Sequence, residues 1–177
     1  KNSFVIIEHS ADDLLQYQAV TWERRKTIET YNITIAPTMD CNFRCYYCFE
    51  NQENEYMSDD IIQRIVKYLK SCNCKNMHIV WFGGEPLLAI EQIRKITKNI
   101  KSAKYDSKNF CIITNGYYLT KDVVNELNDL QIDSIQLTVD GLYDDYNKVK
   151  CMKNDINCFD TFLKNLDYLM QHRGNIG

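Results

Sequence analysis

Three cysteines, Cys41, Cys45 and Cys48, fall in one short stretch, CNFRCYYC. This Cys-x-x-x-Cys-x-x-Cys spacing in a loop gathers three thiolates around one small volume. Structural zinc sites usually take four closed ligands, from paired Cys-x-x-Cys or His partners. No fourth partner is evident nearby. A 4Fe–4S cube held by three cysteines leaves one iron with an open position, where a substrate or cofactor can bind. An open-iron cluster is the leading reading. A zinc or iron–sulfur site that only holds the loop in place is the competing one.

Three more motifs carry polar groups beside glycine: GGEP at 83–86, TNG at 114–116 and LTVDG at 137–141. Glycine lets a neighbouring backbone come close. Asn-Gly and Asp-Gly pairs also serve as plain turns.

The elements that must position these motifs follow from periodicity. Ile33 to Ala36 reads as a short strand, stopped by Pro37. The loop from Pro37 to Tyr56 carries the cysteines. Ser58 can cap a helix whose face is Ile61, Ile62, Ile65, Val66 and Leu69. Met77 to Phe82 is a nearly continuous apolar run, expected of a strand buried on both faces. Ile93, Ile96 and Ile100 mark the next helix, and Phe110 to Thr114 the next strand, with Cys111 in the core. Thr120 can cap a helix with Val123, Val124, Leu127 and Leu130 inside. Ile135, Leu137 and Val139 alternate with polar residues as a fourth strand, and Phe159, Phe162, Leu163, Leu166, Leu169 and Met170 line a last helix. Such alternation implies a parallel sheet with right-handed crossovers. All four motifs then follow strand C-termini, the edge where parallel α/β proteins bind ligands.

Composition narrows the function. With 21 Lys plus Arg against 24 Asp plus Glu, the net charge is −3, which excludes broad electrostatic capture of nucleic acid or anionic membrane. At 177 residues the chain suits one domain and is short for a closed eight-stranded barrel of about 250 residues. No apolar run is long enough to span a bilayer, and the run in KNSFVIIEHS is too short for a signal peptide. Eight cysteines set among helical and strand patterns point to metal or cluster binding in a reducing compartment rather than to a disulfide scaffold. A weakly patterned helix is expected over 11–29, so residues 1–30 form an N-terminal extension and 31–177 the main domain.

CNFRCYYC, with Tyr47 just before its last cysteine, resembles the cluster motif of the radical S-adenosylmethionine (SAM) superfamily. GGEP is similar to that family's second motif, and TNG and LTVDG to two others. The resemblance covers roughly residues 31–172. It is strongest to the branch with C-terminal SPASM or twitch domains, which includes anaerobic sulfatase maturases and maturases of ribosomally made peptides. The implied fold is an α/β, parallel-sheet (β/α) partial TIM barrel. Four β/α units are read here, so further strands are expected after Gly177.

The resemblance also implies roles. Cys41, Cys45 and Cys48 would ligate three irons of a 4Fe–4S cluster, and SAM would chelate the fourth. Tyr47 would lie near the adenine. Gly83, Gly84 and Glu85 would meet the methionine amino group. Thr114 and Asn115 would make polar contacts to SAM, and Thr138 and Asp140 would reach the ribose hydroxyls. Where relatives carry a His-Asp pair and an arginine after the fourth strand, this chain has Tyr146 and Asn147, with Lys150 near the arginine's place. Lysine supplies charge but not a bidentate fork. The implied activity is reductive cleavage of SAM to a 5′-deoxyadenosyl radical, which abstracts hydrogen from a peptide or protein substrate. It would use an external electron donor in the cytoplasm, without nucleic acid or membrane partners. Sulfatase maturation, small-molecule chemistry and a non-catalytic metal module are the alternatives. No residue stands out as a catalytic acid or base. Cys72 and Cys74 are expected at the opposite edge, and Cys151 and Cys158 on the active-site side.

Overall fold

The computed structural model describes residues 29–150 and 158–172. The helix expected over 11–29, save its last residue, and Cys151 lie outside them. Strands β1 (Thr30–Ile35), β2 (Asn76–Trp81), β3 (Ser107–Thr114) and β4 (Ile132–Leu137) form one sheet in the order β1-β2-β3-β4. Every neighbouring pair is parallel. Helices α1 (Asp59–Ser71), α2 (Ile90–Ile100) and α3 (Lys121–Glu126) cross between successive strands, and α4 (Tyr143–Val149) and α5 (Cys158–His172) follow β4. A doubly wound sheet reverses its strand order at a switch point. This sheet does not, so it has the sequence of steps that curls toward a barrel, as the resemblance implied.

The core lies between the sheet and its helices. Ile35, Met77, Ile79, Trp81, Phe110, Ile112, Ile132 and Ile135 pack against Ile62, Val66 and Leu69 of α1, Ile93, Ile96 and Ile100 of α2, and Val124 of α3. The other sheet face is polar. Asn32, His78 and Asn109 share one row, with His78 Nδ1 3.1 Å from Asn32 Oδ1. Thr34, Val80, Cys111 and Ser134 form the next row.

This one-sided burial corrects two expectations. Met77, Ile79 and Trp81 are buried, but His78, Val80 and Phe82 are only half-buried, because the described helices cover a single face. Cys111 sits half-buried on the open face and is not part of the core. Strand β4 also begins earlier than expected and ends at Leu137, leaving Val139 53% exposed. Its register slips opposite Phe110 and Cys111, so Asp133 is the extra residue of a bulge. Asp133 Oδ2 accepts the Phe110 N–H at 3.1 Å. Ile61, Leu163 and Met170, expected on inner helix faces, are exposed.

Ser58 and Thr120 cap α1 and α3 as read, each accepting a backbone N–H with its side chain. Helix α3 is shorter than its apolar pattern, and the turn that follows it ends at Gln131 with φ 55, in the left-handed region that costs a side chain about 1–2 kcal/mol. The buried Gln131 Oε1 also lacks a hydrogen-bond partner. Gln131→Gly is expected to raise stability by about 0.5–1 kcal/mol, measured by urea unfolding. An unchanged or lower midpoint would count against strain at this turn.

Arg94 of α2 forks onto Glu126 of α3, with Nε–Oε1 2.5 Å and Nη2–Oε2 2.7 Å, and it also pairs with Glu91. The guanidinium holds the Glu126 carboxyl below its ordinary value. The pair therefore adds stability above the usual glutamate range and loses it as pH falls through the lowered value. Glu126→Gln is expected to cost about 0.5–1 kcal/mol at neutral pH and nothing in strong acid. A penalty that does not change with pH would contradict the assignment. Among the described residues no helix is long and apolar enough to cross a membrane.

Candidate functional site

The loop after β1 is pinched at its root. Thr38 pairs with Tyr56 across an antiparallel bridge, Met39 N donates to Glu55 O, and Thr38 Oγ1 donates to the same carbonyl at 2.6 Å. Thr38 Oγ1 also accepts from Asp40 N at 3.0 Å. The loop therefore leaves the sheet edge with a fixed base and carries the cysteines above it. Phe43, only 1% exposed, anchors its middle. Its ring meets Tyr117 and Tyr146 edge-on, at centroid distances of 5.8 and 6.4 Å. Arg44 ties the turn by donating to the carbonyls of Cys41 and Phe43.

The GGEP turn after β2 lies flush against this root. Gly84 N donates to Thr38 O and Glu85 N to Asp40 O, at 3.2 and 2.8 Å. A Cβ on Gly84 would stand 2.2 Å from Asp40 O, and one on Gly83 (φ +111) 2.4 Å from Thr38 O. Only glycine permits that approach. Sequence reading assigned these glycines to a cofactor; they also seat the cysteine loop.

Glu85 is 1% exposed and fully engaged. Oε1 accepts from Leu87 N at 2.9 Å and Thr114 Oγ1 at 2.8 Å, and Oε2 from Asn115 N at 2.9 Å. Burial pushes its carboxyl above the ordinary range, and the three donors partly pull it back. The side chain joins the β2 and β3 loops through these bonds. Asn115 carries the link onward: Nδ2 donates to Asn42 Oδ1 at 2.9 Å, and Oδ1 accepts from Tyr117 N at 3.0 Å.

At the end of β4, Thr138 and Asp140 meet Lys150, which is 2% exposed. Lys150 Nζ donates to Thr138 Oγ1 at 2.8 Å and lies 3.0 Å from Asp140 Oδ2. The same carboxylate oxygen accepts from Tyr47 O–H at 2.8 Å. Tyr47 and Asp140, read as contacts to two different parts of one ligand, thus bridge the first and fourth loops to each other.

These loops enclose a cavity of about 240 Å³ at the C-terminal edge of the sheet. All three cysteines line it, with Tyr47, Gly83, Gly84, Thr114, Asn115, Thr138 and Lys150. Of the residues singled out in sequence, only Glu85 and Asp140 stand behind the wall. Burial raises the Cys41 thiol to about 11 and also pushes Cys45 up, so iron binding must displace their protons. Phe43 N donates to Cys41 Sγ at 3.4 Å, and Gln52 Nε2 to Cys48 Sγ at 3.6 Å.

Among the described residues no three Cys, His, Asp or Glu side chains converge on one point as a single metal ion requires. A cube takes each thiolate on its own iron, so the ligands surround a volume instead. Three thiols round one cavity fit the cluster.

Sequence reading missed Phe43 and Tyr146 as anchors and helix α4 as a whole. The loop also holds Tyr46, Tyr47 and Phe49, all exposed, so its sequence did not single out Phe43 as the buried anchor. Cys158, expected on the active-site side, is fully buried among Phe159, Phe162 and Tyr146. Cys72 and Cys74 lie before β2, at the opposite edge, as read.

Residues 35–176 match the family described as the Radical SAM superfamily. A GTP 3′,8-cyclase of Clostridium perfringens is 30% identical over 145 residues, covering 70% of this chain and 43% of that one. The radical SAM cyclopropyl synthase TigE of Paramaledivibacter caminithermalis is 23% identical over 194 residues, covering 97% and 40%. In structure, anSMEcpe solved with AdoMet and a peptide superposes with a TM-score of 0.71 at 21% identity, over 80% of this chain and 40% of that one. The fold is shared with that enzyme, and the chain spans about two-fifths of the length of each of these proteins.

Proposed function

Because the chain belongs to the radical SAM superfamily, we propose that Cys41, Cys45 and Cys48 hold a 4Fe–4S cluster with one open iron, and that the adjoining cavity takes SAM. Such a cluster, held by the three cysteines, would supply one-electron reductive cleavage of SAM and the hydrogen abstraction that follows from it, with an external donor as the electron source. One observation carries the reading: three cysteines of a single loop line the same cavity as Gly83, Gly84, Thr114, Asn115 and Thr138. In this reading the glycine backbone and the Thr114 and Asn115 loop receive the methionine end. Tyr47 offers its ring to the adenine, and Thr138 serves the ribose, with Asp140 beside it holding Tyr47 and Lys150 in place. A reducing cytoplasm suits the cluster.

The substrate we propose is a peptide or protein side chain, as in the SPASM-bearing branch. Charge supports it. The charged residues lining the cavity are Glu50 and Lys150, and Lys150 is already paired with Asp140. Among the described lining residues a nucleoside triphosphate would find no unpaired cation. Nucleotide cyclisation remains the second reading, favoured by likeness to the GTP 3′,8-cyclase. The intact enzyme, given SAM and a reductant, is expected to form 5′-deoxyadenosine with precursor peptides and not with GTP, read by mass spectrometry. Turnover with GTP alone would reverse the order of the two readings.

A further inference from the structure

The cation most deeply enclosed beside the cysteine loop, among the described residues, is Lys150. Its Nζ lies 5.7 Å from the Phe43 ring centroid and 5.5 Å from that of Tyr146. A buried ammonium persists where partners compensate its lost hydration. Here one carboxylate, one hydroxyl and two ring faces do so. Phe43 stands between Cys41 and Cys45 in sequence, and both cysteines pack against the cluster of Phe43 and Tyr146. Lys150 and Cys45 also line the same cavity.

The counter-charge is less enclosed. The Asp140 side chain is 26% exposed against 2% for Lys150. Water therefore screens the carboxylate more than the ammonium, whose field reaches the loop through packed rings.

We propose that Lys150 sets the reduction potential of the cluster held by Cys41, Cys45 and Cys48, through a fixed, buried positive charge balanced by Asp140. The proposal rests on the cluster reading above. Reduction brings in one electron from the external donor, with no bond made or broken, so the cluster gains one negative charge. A neighbouring cation favours the reduced form, and a neighbouring carboxylate disfavours it. Lys150 acts as a positioning residue for charge, through the cluster's surroundings rather than by touching the reacting atoms.

Opposite signs are the signature of this role. The intact protein and its K150M, K150R and D140N variants would be reconstituted anaerobically with iron and sulfide. Each would be titrated potentiometrically without SAM, following the electron paramagnetic resonance (EPR) signal of the reduced cluster. K150M removes the cation paired with Asp140, which keeps its hydrogen bond from Tyr47. At fixed poise its ratio of reduced to oxidised cluster is expected to fall about tenfold, a midpoint shift of about 59 mV for a one-electron couple. D140N is expected to raise the ratio several-fold, and K150R to stay within about twofold of the parent. Loosening of the loop alone would move K150M and D140N in the same direction, and that result, or no movement in either, overturns the proposal while leaving the cluster reading intact. Should K150M fail to fold, D140N decides by itself: a raised midpoint supports the proposal and an unchanged or lowered one overturns it. If the parent assembles no 4Fe–4S cluster, the cluster reading fails first and the proposal fails with it.

Discussion

Gly84→Ala is expected to destabilise the protein by about 3 kcal/mol and to cut iron and sulfide incorporation sharply. The added methyl would sit 2.2 Å from Asp40 O, 2.6 Å from Asp40 C and 2.7 Å from Met39 O. All three are backbone atoms at the root of the cysteine loop, so no side chain can swing away to make room. The loop and the turn must part, which breaks the Gly84 N–Thr38 O and Glu85 N–Asp40 O hydrogen bonds. Gly141→Ala is the matched control. It has a positive φ of 106° but meets mainly the Asp145 side chain, at 3.0 Å. It is expected to cost about 1 kcal/mol and to load cluster normally. Urea unfolding, with iron and sulfide analysis of both variants, checks the pair. Normal loading in Gly84→Ala would mean that close seating of the loop on the turn does not shape the site.

Glu85→Ala is expected to cost about 3–5 kcal/mol, because it strands three buried donors at about 1–3 kcal/mol each before relaxation. The donors are Leu87 N, Thr114 Oγ1 and Asn115 N. Glu85→Gln tests whether acceptance is what matters. One carboxylate oxygen becomes an NH₂ group that must face a backbone N–H, so it is expected to cost about 1–3 kcal/mol. Both variants are expected to loosen Asn115 and, through Asn42, the cysteine loop. Thermal unfolding gives the order Ala worse than Gln worse than parent. Equal stability of Glu85→Gln and the parent would show that the three donors do not need an anionic acceptor.

What could be read from residues alone was local. The cysteine spacing, the Ser58 and Thr120 caps and the strand–helix alternation each lie within a dozen or so positions, where periodicity and capping chemistry act directly. The Glu85 contacts span about thirty positions, and the Tyr47–Asp140 bridge joins the first loop to the fourth. No local pattern encodes such pairings. Helix α4 escaped because its YDDYNKV stretch has one buried residue, Tyr146, and so no apolar stripe. The open face of β2 escaped because an apolar run does not say how many layers will cover it. Lys150 was legible as a charge near the arginine's place, but not the burial that Phe43, Tyr146, Thr138 and Asp140 impose by closing around it.

The cysteine loop's hold on a cluster with one iron open to SAM is tested most directly by EPR. The intact protein would be reconstituted anaerobically with iron and sulfide, reduced, and recorded with and without SAM. A low-spin cluster signal that changes on adding SAM is the expected result, and it would place SAM at the open iron. Retained zinc with no sulfide, or a cluster signal indifferent to SAM, would contradict the account.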